Sequence, residues 1–215
     1  MYEYSGVFSQ SEFYLGHTAV LPHRINTGDA RALKKQLRRH PIAHLDFIDN
    51  QVEHMLQAGM VEPCSFPWSN VVLAKKADGT LRLCVYRLLN DLNYKNCFPL
   101  PRIDTCLDAL CGSIYFSTMN LRSGFWQIAI DPTDADNDAD KTAFVTRKGQ
   151  FRFRVLSFGL ANSPSIFQRL MNLILSEMNW DMCLVYINDN IVTDLTNTYV
   201  MWLRSLSVSA GWVET

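Results

Sequence analysis

Residues able to do chemistry gather first at Leu184-Val185-Tyr186-Ile187-Asn188-Asp189-Asn190-Ile191-Val192, where a polar tip stands between two apolar, β-branched runs. This pattern predicts a tight β-hairpin, because Asn and Asp tolerate the left-handed backbone of primed turns. A hairpin with buried arms holds its tip at a fixed place, which suits presenting the Asp189 carboxylate to a metal ion. An ordinary surface turn carries the same pattern. A second acidic run, Asp131 to Asp140, holds five aspartates, with Asp134-Ala135-Asp136 repeated as Asp138-Ala139-Asp140. It fails as a calcium loop, since Ala139 stands where that loop needs Gly and Val145 where it needs a bidentate Glu. The expectation is a surface loop lengthened by a short tandem duplication. His40 and His44 are four apart, but Pro41 follows His40 and no third ligand is near, which argues against a metal site.

Composition narrows the class. The 215 residues suffice for one large domain or two small ones, and 48% hydrophobic with 19% charged residues excludes bulk disorder. The net charge of -1 does not mark a polyanion binder. The charge is uneven, however: Arg24, Arg31, Lys34, Lys35, Arg38 and Arg39 are opposed only by Asp29. Such a run is either a solvated face or a track for a phosphate backbone. None of the six cysteines forms a Cys-x-x-Cys pair, so neither a zinc ribbon nor a redox pair is indicated. Without a signal peptide or an apolar run of membrane-spanning length, the expectation is a soluble intracellular protein, cytoplasmic or nuclear, with reduced thiols and no membrane partner.

The elements that must position these residues follow from periodicity. Leu45, Ile48, Val52, Met55 and Leu56 share one helical face between His44 and Ala58, with Gly59 as a stop. Val71 to Lys76 and Leu81 to Tyr86 flank Ala77-Asp78-Gly79-Thr80, a strong hairpin signal that carries Lys75, Lys76 and Arg82. A short helix is expected over Ile103, Leu107 and Leu110, and a strand over Tyr115 to Met119 leading into Asn120. Phe125 to Ile130 reads as a further strand, and Thr142 to Arg147 with Phe151 to Leu156 as a second hairpin. Pro164, behind Asn162 or Ser163, opens a helix to about Met178 whose buried stripe is Ile166, Phe167, Leu170, Met171 and Ile174. Helices interspersed with hairpins predict an α+β fold.

The chain resembles the reverse transcriptase of gypsy-class long-terminal-repeat retrotransposon polyproteins over roughly residues 13 to 193. The matching stretches are His23 to Asp29, Gly59-Met60-Val61-Glu62-Pro63, Lys75 to Thr80, Phe98 to Asp104, Phe116-Ser117-Thr118 and Ser123-Gly124-Phe125-Trp126-Gln127. They continue with Lys141 to Thr146, Phe158 to Pro164, Phe167 to Met171 and the opening hairpin. The resemblance implies a right-hand polymerase with fingers and palm, its antiparallel palm sheet packed on helices. Thumb, connection and ribonuclease H regions, and the other polyprotein domains, are expected to be absent. The implied division is an extension with the basic segment at 1–40, a fingers-palm domain at 41–193 and a divergent tail at 194–215. The resemblance further implies that Lys75, Lys76 and Arg82 meet the incoming deoxynucleoside triphosphate. It places backbone amides of Ser123 and Gly124 near the phosphates, Phe125 against the sugar, and Phe158 and Gly159 against template and nucleotide. An RNA or DNA primer-template is the implied partner, also of the basic segment.

The family's chemistry requires two Mg2+ ions held by three aspartates. The corresponding positions here are Asn120, Asn188 and Asp189, so only Asp189 keeps a metal-binding carboxylate. An amide preserves one carbonyl oxygen of the same shape but no charge. If metal stabilisation falls by about 5 kcal/mol, the rate drops roughly 10³–10⁴-fold. Cys84-Val85-Tyr86-Arg87 is one acid shorter than the family pattern, which would flip side-chain facing along a strand unless a bulge absorbs it. The expectation is a degenerate copy, very weak or inactive as a polymerase. The alternatives are a non-catalytic nucleic-acid-binding module or an unstable remnant with exposed apolar surface.

Overall fold

The computed structural model describes residues 16, 18–28, 39–66, 69–70, 72–75, 79, 81–84, 86–131, 138–193 and 201–206. In chain order the elements are β1 (Thr18–His23), α1 (Ile42–Gln57), β2 (Val61–Pro63), β3 (Ser69–Asn70), β4 (Val72–Lys75), β5 (Leu81–Cys84), α2 (Arg87–Leu92) and α3 (Ile103–Ala109). They continue with β6 (Phe116–Asn120), β7 (Ile128–Ile130), α4 (Asp138–Lys141), β8 (Phe144–Thr146), β9 (Gly149–Phe153), α5 (Ser163–Ile174), β10 (Cys183–Tyr186) and β11 (Asp189–Thr193). Short helices alternate with mostly antiparallel pairs, the α+β class expected. The chain forms two compact units: Met1–Pro22 with Asn96–Ile128 and Asn162–Thr215, and His23–Lys95 with Ala129–Ala161.

In the second unit the sheet order is β2-β9-β8-β3, with β4 and β5 as a separate hairpin. The apolar face of α1 buries Ile48, Val52 and Met55, the stripe read from its 3.6-residue period. Phe144, Phe151 and Phe153 cluster with ring centroids 5.3–5.9 Å apart, and Tyr86 meets Phe153 edge-on at 6.0 Å. The buried phenol of Tyr86 donates to the Thr142 carbonyl oxygen at 3.4 Å. Its position resolves the one-residue deletion: β5 ends at Cys84 and α2 starts at Arg87, so hardly any strand follows to be flipped.

The acidic run departs from expectation at its second repeat. Residues 132–137 lie outside the described part, but Asp138 is 1% exposed and opens a helical turn rather than a surface loop. Its carboxylate accepts the Ile25 N–H at 2.6 Å and pairs with Lys141 Nζ at 2.7 Å, while Lys141 also donates to the Ile25 carbonyl oxygen at 2.8 Å. Acid and base together satisfy both backbone groups of a fully buried residue, a pairing no local pattern announces. Arg147 joins Asp46 and Asp49 of α1, and Arg152 joins Glu62 and Asp140.

In the first unit β10, β11 and β6 form an antiparallel sheet that packs on α5, the arrangement expected of the palm. Ile166, Phe167, Leu170 and Met171 of α5 are buried as the stripe predicted. The helix stops at Ile174, four residues early, because turns over 175–178 bury Leu175 and Met178 instead. The strand expected from Phe125 begins only at Ile128; Gly124–Gln127 is a 3-10 turn entered through Ser123 at φ +50°. Residues 201–206 are helical and bury Trp202, Leu203 and Leu206. Among the described residues no helix is long and apolar enough to cross a membrane.

Two outcomes follow. Asp138→Asn leaves Lys141 without its buried partner and is expected to cost about 3 kcal/mol, lowering the midpoint of a thermal melt by roughly 6–12 °C. Asp104→Asn, which removes an ion pair 81% exposed on both sides, should leave it unchanged. Burial pushes the His23 imidazole down from its ordinary 6.5 to about 4. The folded chain therefore stays neutral where the unfolded chain takes up a proton. Its contribution is complete above about pH 6.5 and is lost as pH falls toward 4, to a total of roughly 3 kcal/mol. Denaturant titrations of wild type and His23→Phe across this window should differ in slope, and parallel curves would contradict the assignment.

Candidate active site

The hairpin at the centre of the first unit pairs Tyr186 with Asp189, leaving Ile187 and Asn188 as a two-residue loop. The sequence pattern placed the left-handed backbone on Asn or Asp; it falls on Ile187, at φ +54°. A positive φ at the first loop residue alone is the habit of a type II′ turn, where glycine is usual and a β-branched residue is strained. Gln168 holds it there. This side chain, fully buried on α5, accepts the Ile187 N–H at 2.7 Å and donates to the Val185 carbonyl oxygen at 3.0 Å and to Asn172 Oδ1 at 2.9 Å. Sequence reading gave Gln168 no role. Its signal was faint: one amide flanking an apolar helical stripe, next to Met171 and Leu175.

The strand register then sets the carboxylate. Asp189 lies opposite Asn120 across β11 and β6, and the Leu121 N–H donates to the Asn188 carbonyl oxygen at 2.9 Å. Asn120 Nδ2 donates to Asp189 Oδ1 at 2.6 Å. A carboxylate only accepts, so the amide turns its nitrogen inward and its carbonyl oxygen away. Asn188 Oδ1 is buried without a hydrogen-bond partner among the described residues. It lies 2.9 Å from where a Cβ on Gly124 would stand, and the Phe167 ring would be only 2.6 Å from that Cβ. Glycine at 124 is thus required by close approach. Phe125 is 9% exposed and meets Phe167 edge-on at 5.5 Å.

Of the residues singled out from sequence, Asn120, Ser123, Gly124, Phe125, Asn188 and Asp189 therefore belong to one unit, around the hairpin and the 3-10 turn. Lys75, Arg82, Phe158 and Gly159 belong to the other, and Lys76 lies outside the described residues. Lys75 is exposed at the end of β4, and Arg82 stands opposite Ala74 in the β4–β5 ladder. Gly159, at φ +96°, gives its carbonyl oxygen to Asn90 Nδ2 at 2.6 Å, while Asn90 Oδ1 accepts the Ala161 N–H at 2.7 Å. Asn90, also missed from sequence, thereby fixes the turn that carries Phe158.

Two divalent cations need several charged oxygen ligands. Among the described residues no group of three or more His, Cys, Asp or Glu side chains converges as a metal site. The hairpin presents one carboxylate, already bonded to an amide nitrogen that cannot ligate a cation. The residues present do not fit a two-ion centre.

Replacing Gln168 by Leu keeps its bulk but strands the Ile187 N–H and the Val185 carbonyl oxygen. The expected cost is about 3 kcal/mol, read as a lower thermal midpoint together with faster amide exchange at Ile187. An unchanged exchange rate would contradict the clamp.

Residues 74–199 match the family model for reverse transcriptase (RNA-dependent DNA polymerase). The chain is 34% identical over 193 residues to the retrovirus-related Pol polyprotein from transposon 297 of Drosophila melanogaster, covering 85% of this chain and 18% of that protein. It is 33% identical to the Pol polyprotein from transposon gypsy of the same fly, over 68% of this chain and 15% of that one. An RNA-directed DNA polymerase homolog of Oenothera berteroana is 42% identical over 114 residues, 53% of this chain and 78% of that one. The chain thus spans under a fifth of the Pol polyproteins it matches. In fold it is similar to the prototype foamy virus protease-reverse transcriptase, with a TM-score of 0.82 over 97% of this chain and 28% of that one at 22% identity. The hairpin, the sheet register and the family match agree, and the chain belongs to the reverse transcriptase family.

Proposed function

We propose that the chain is a reverse transcriptase fingers-palm region of retroelement origin whose nucleotidyl transfer is lost or severely weakened. One observation carries this reading: Asn120 Nδ2 donates to Asp189 Oδ1 at 2.6 Å, at the place where the family needs carboxylates. With Asn188 also neutral, the hairpin offers one negative charge to ions that bring four between them. An RNA or DNA primer-template remains the proposed partner, because phosphate contacts from Lys and Arg do not require the missing carboxylates. Foamy virus protease-reverse transcriptase, of similar fold, has been solved with an RNA/DNA hybrid and with double-stranded DNA, in keeping with such a partner. Deoxynucleoside triphosphates are the proposed second ligand, with Lys75, Lys76, Arg82, Ser123, Gly124, Phe125, Phe158 and Gly159 as its contacts.

The test is a primer-extension assay beside a Mn2+-binding titration, for the wild type and the double variant Asn120→Asp with Asn188→Asp. Wild type is expected to bind Mn2+ weakly and to extend primers at the background level. The double variant should bind at least tenfold tighter and gain roughly 10³-fold or more in rate, at one decade per 1.36 kcal/mol. Robust extension by wild type would refute the loss of activity. Unchanged Mn2+ binding in the double variant would refute the assignment of these positions.

A further inference from the structure

Asn90 stands inside α2, although asparagine is among the poorer helix formers and no local signal calls for one there. Its side chain reaches out of the helix instead. Nδ2 donates to the Gly159 carbonyl oxygen at 2.6 Å, and Oδ1 accepts the Ala161 N–H at 2.7 Å. One planar amide thus grips the turn at two points. Asn90 is itself held: its N–H donates to the Tyr86 carbonyl oxygen at 2.9 Å, and its carbonyl oxygen accepts Lys95 Nζ. All these residues belong to the second unit.

The clamp is not needed to satisfy buried groups. Gly159 and Ala161 are exposed, so water can serve the carbonyl oxygen and the N–H once the amide is removed. Only Leu160, between them, is buried, at 2% exposure. What the amide supplies is a single position for the exposed backbone on either side of that anchor. Gly159, at φ +96°, gains most from it, because glycine has the widest choice of other conformations. The half-buried Phe158 directly precedes it.

We propose that Asn90 is a positioning residue for recognition of the unpaired template: it fixes the Phe158-Gly159 turn so that the first unpaired template base packs on it. The proposal rests on the reading of Phe158 and Gly159 as template contacts. Stacking one base on an aromatic ring is worth roughly 5- to 100-fold in affinity. That gain is largest when the platform is in place before binding. Asn90 is uncharged and meets no phosphate in this role. It therefore bears on which nucleic acid is preferred, and not on the salt-dependent grip of Lys and Arg on the backbone.

The test is fluorescence anisotropy at about 50 mM salt, comparing a DNA primer on an RNA template with a 5′ template overhang against the blunt hybrid. Wild type is expected to bind the overhang form about tenfold tighter than the blunt one. In Asn90→Ala and Asn90→Asp the difference should shrink below about threefold. Asn90→Ala should keep the salt slope and a thermal midpoint within ~2 °C of wild type. Asn90→Asp still accepts the Ala161 N–H but cannot donate to Gly159. Amide exchange at Ala161 therefore stays slow in Asn90→Asp and quickens in Asn90→Ala. Variants that keep the wild-type preference would overturn the proposal and leave primer-template as the partner. A midpoint lowered by more than ~5 °C in Asn90→Ala, or equal loss of affinity for both hybrids, would make Asn90 a structural residue and overturn it too. Equal binding of the two hybrids by wild type would remove the template contact on which it rests. No binding by wild type would refute the primer-template itself, and the proposal with it.

Discussion

The three hydrogen bonds of the buried Gln168 amide are the contact on which the palm hairpin depends. A two-residue loop that puts Ile at positive φ is strained by itself, and the strain persists only because α5 supplies an acceptor to the Ile187 N–H. The same amide reaches Val185, so one side chain ties the loop to its incoming strand. Once the loop is set, β11 has a single register against β10 and β6, and that register places Asp189 opposite Asn120. Packing reinforces it: Phe167, the neighbour of Gln168, presses on Gly124 and Phe125, fixing the 3-10 turn against the same helix.

Shape and charge are separable at this hairpin. Three carboxylates at such spacing repel one another unless cations lie between them. Asn120 and Asn188 are neutral amides, so neither opposes the Asp189 charge, and Asn120 donates to Asp189 a hydrogen bond that a second ionised carboxylate could not donate. The geometry is kept by interactions that need no metal.

The two units are held by different means. In one, three phenylalanines and Tyr86 form the core, and Asp138 with Lys141 satisfies the buried backbone of Ile25. In the other, a sheet leans on one amphipathic helix and leaves Ile103, Leu107, Ile114, Tyr115 and Phe116 exposed.

Local pattern announced much of this architecture. The period of Leu45 to Leu56 marked α1, the turn signal between Lys75 and Leu81 marked the β4–β5 pair, Pro164 opened α5, and the run around Asn188 and Asp189 marked the hairpin and the single carboxylate beside its tip amide. These are contacts or backbone preferences within a few residues, which sequence carries directly. It could not show that Ile187 takes the left-handed position, that Gln168 holds it, that Gly124–Gln127 coils before β7, or that Asp138 is buried on Ile25. Each depends on a partner at least 19 residues away, or on the packing of a neighbouring helix. The sequence by itself determined which chemical groups stand at the hairpin, since residue identity decides charge. Only the tertiary structure decided where they point, because a side chain's partner is chosen by the fold and not by its neighbours along the chain.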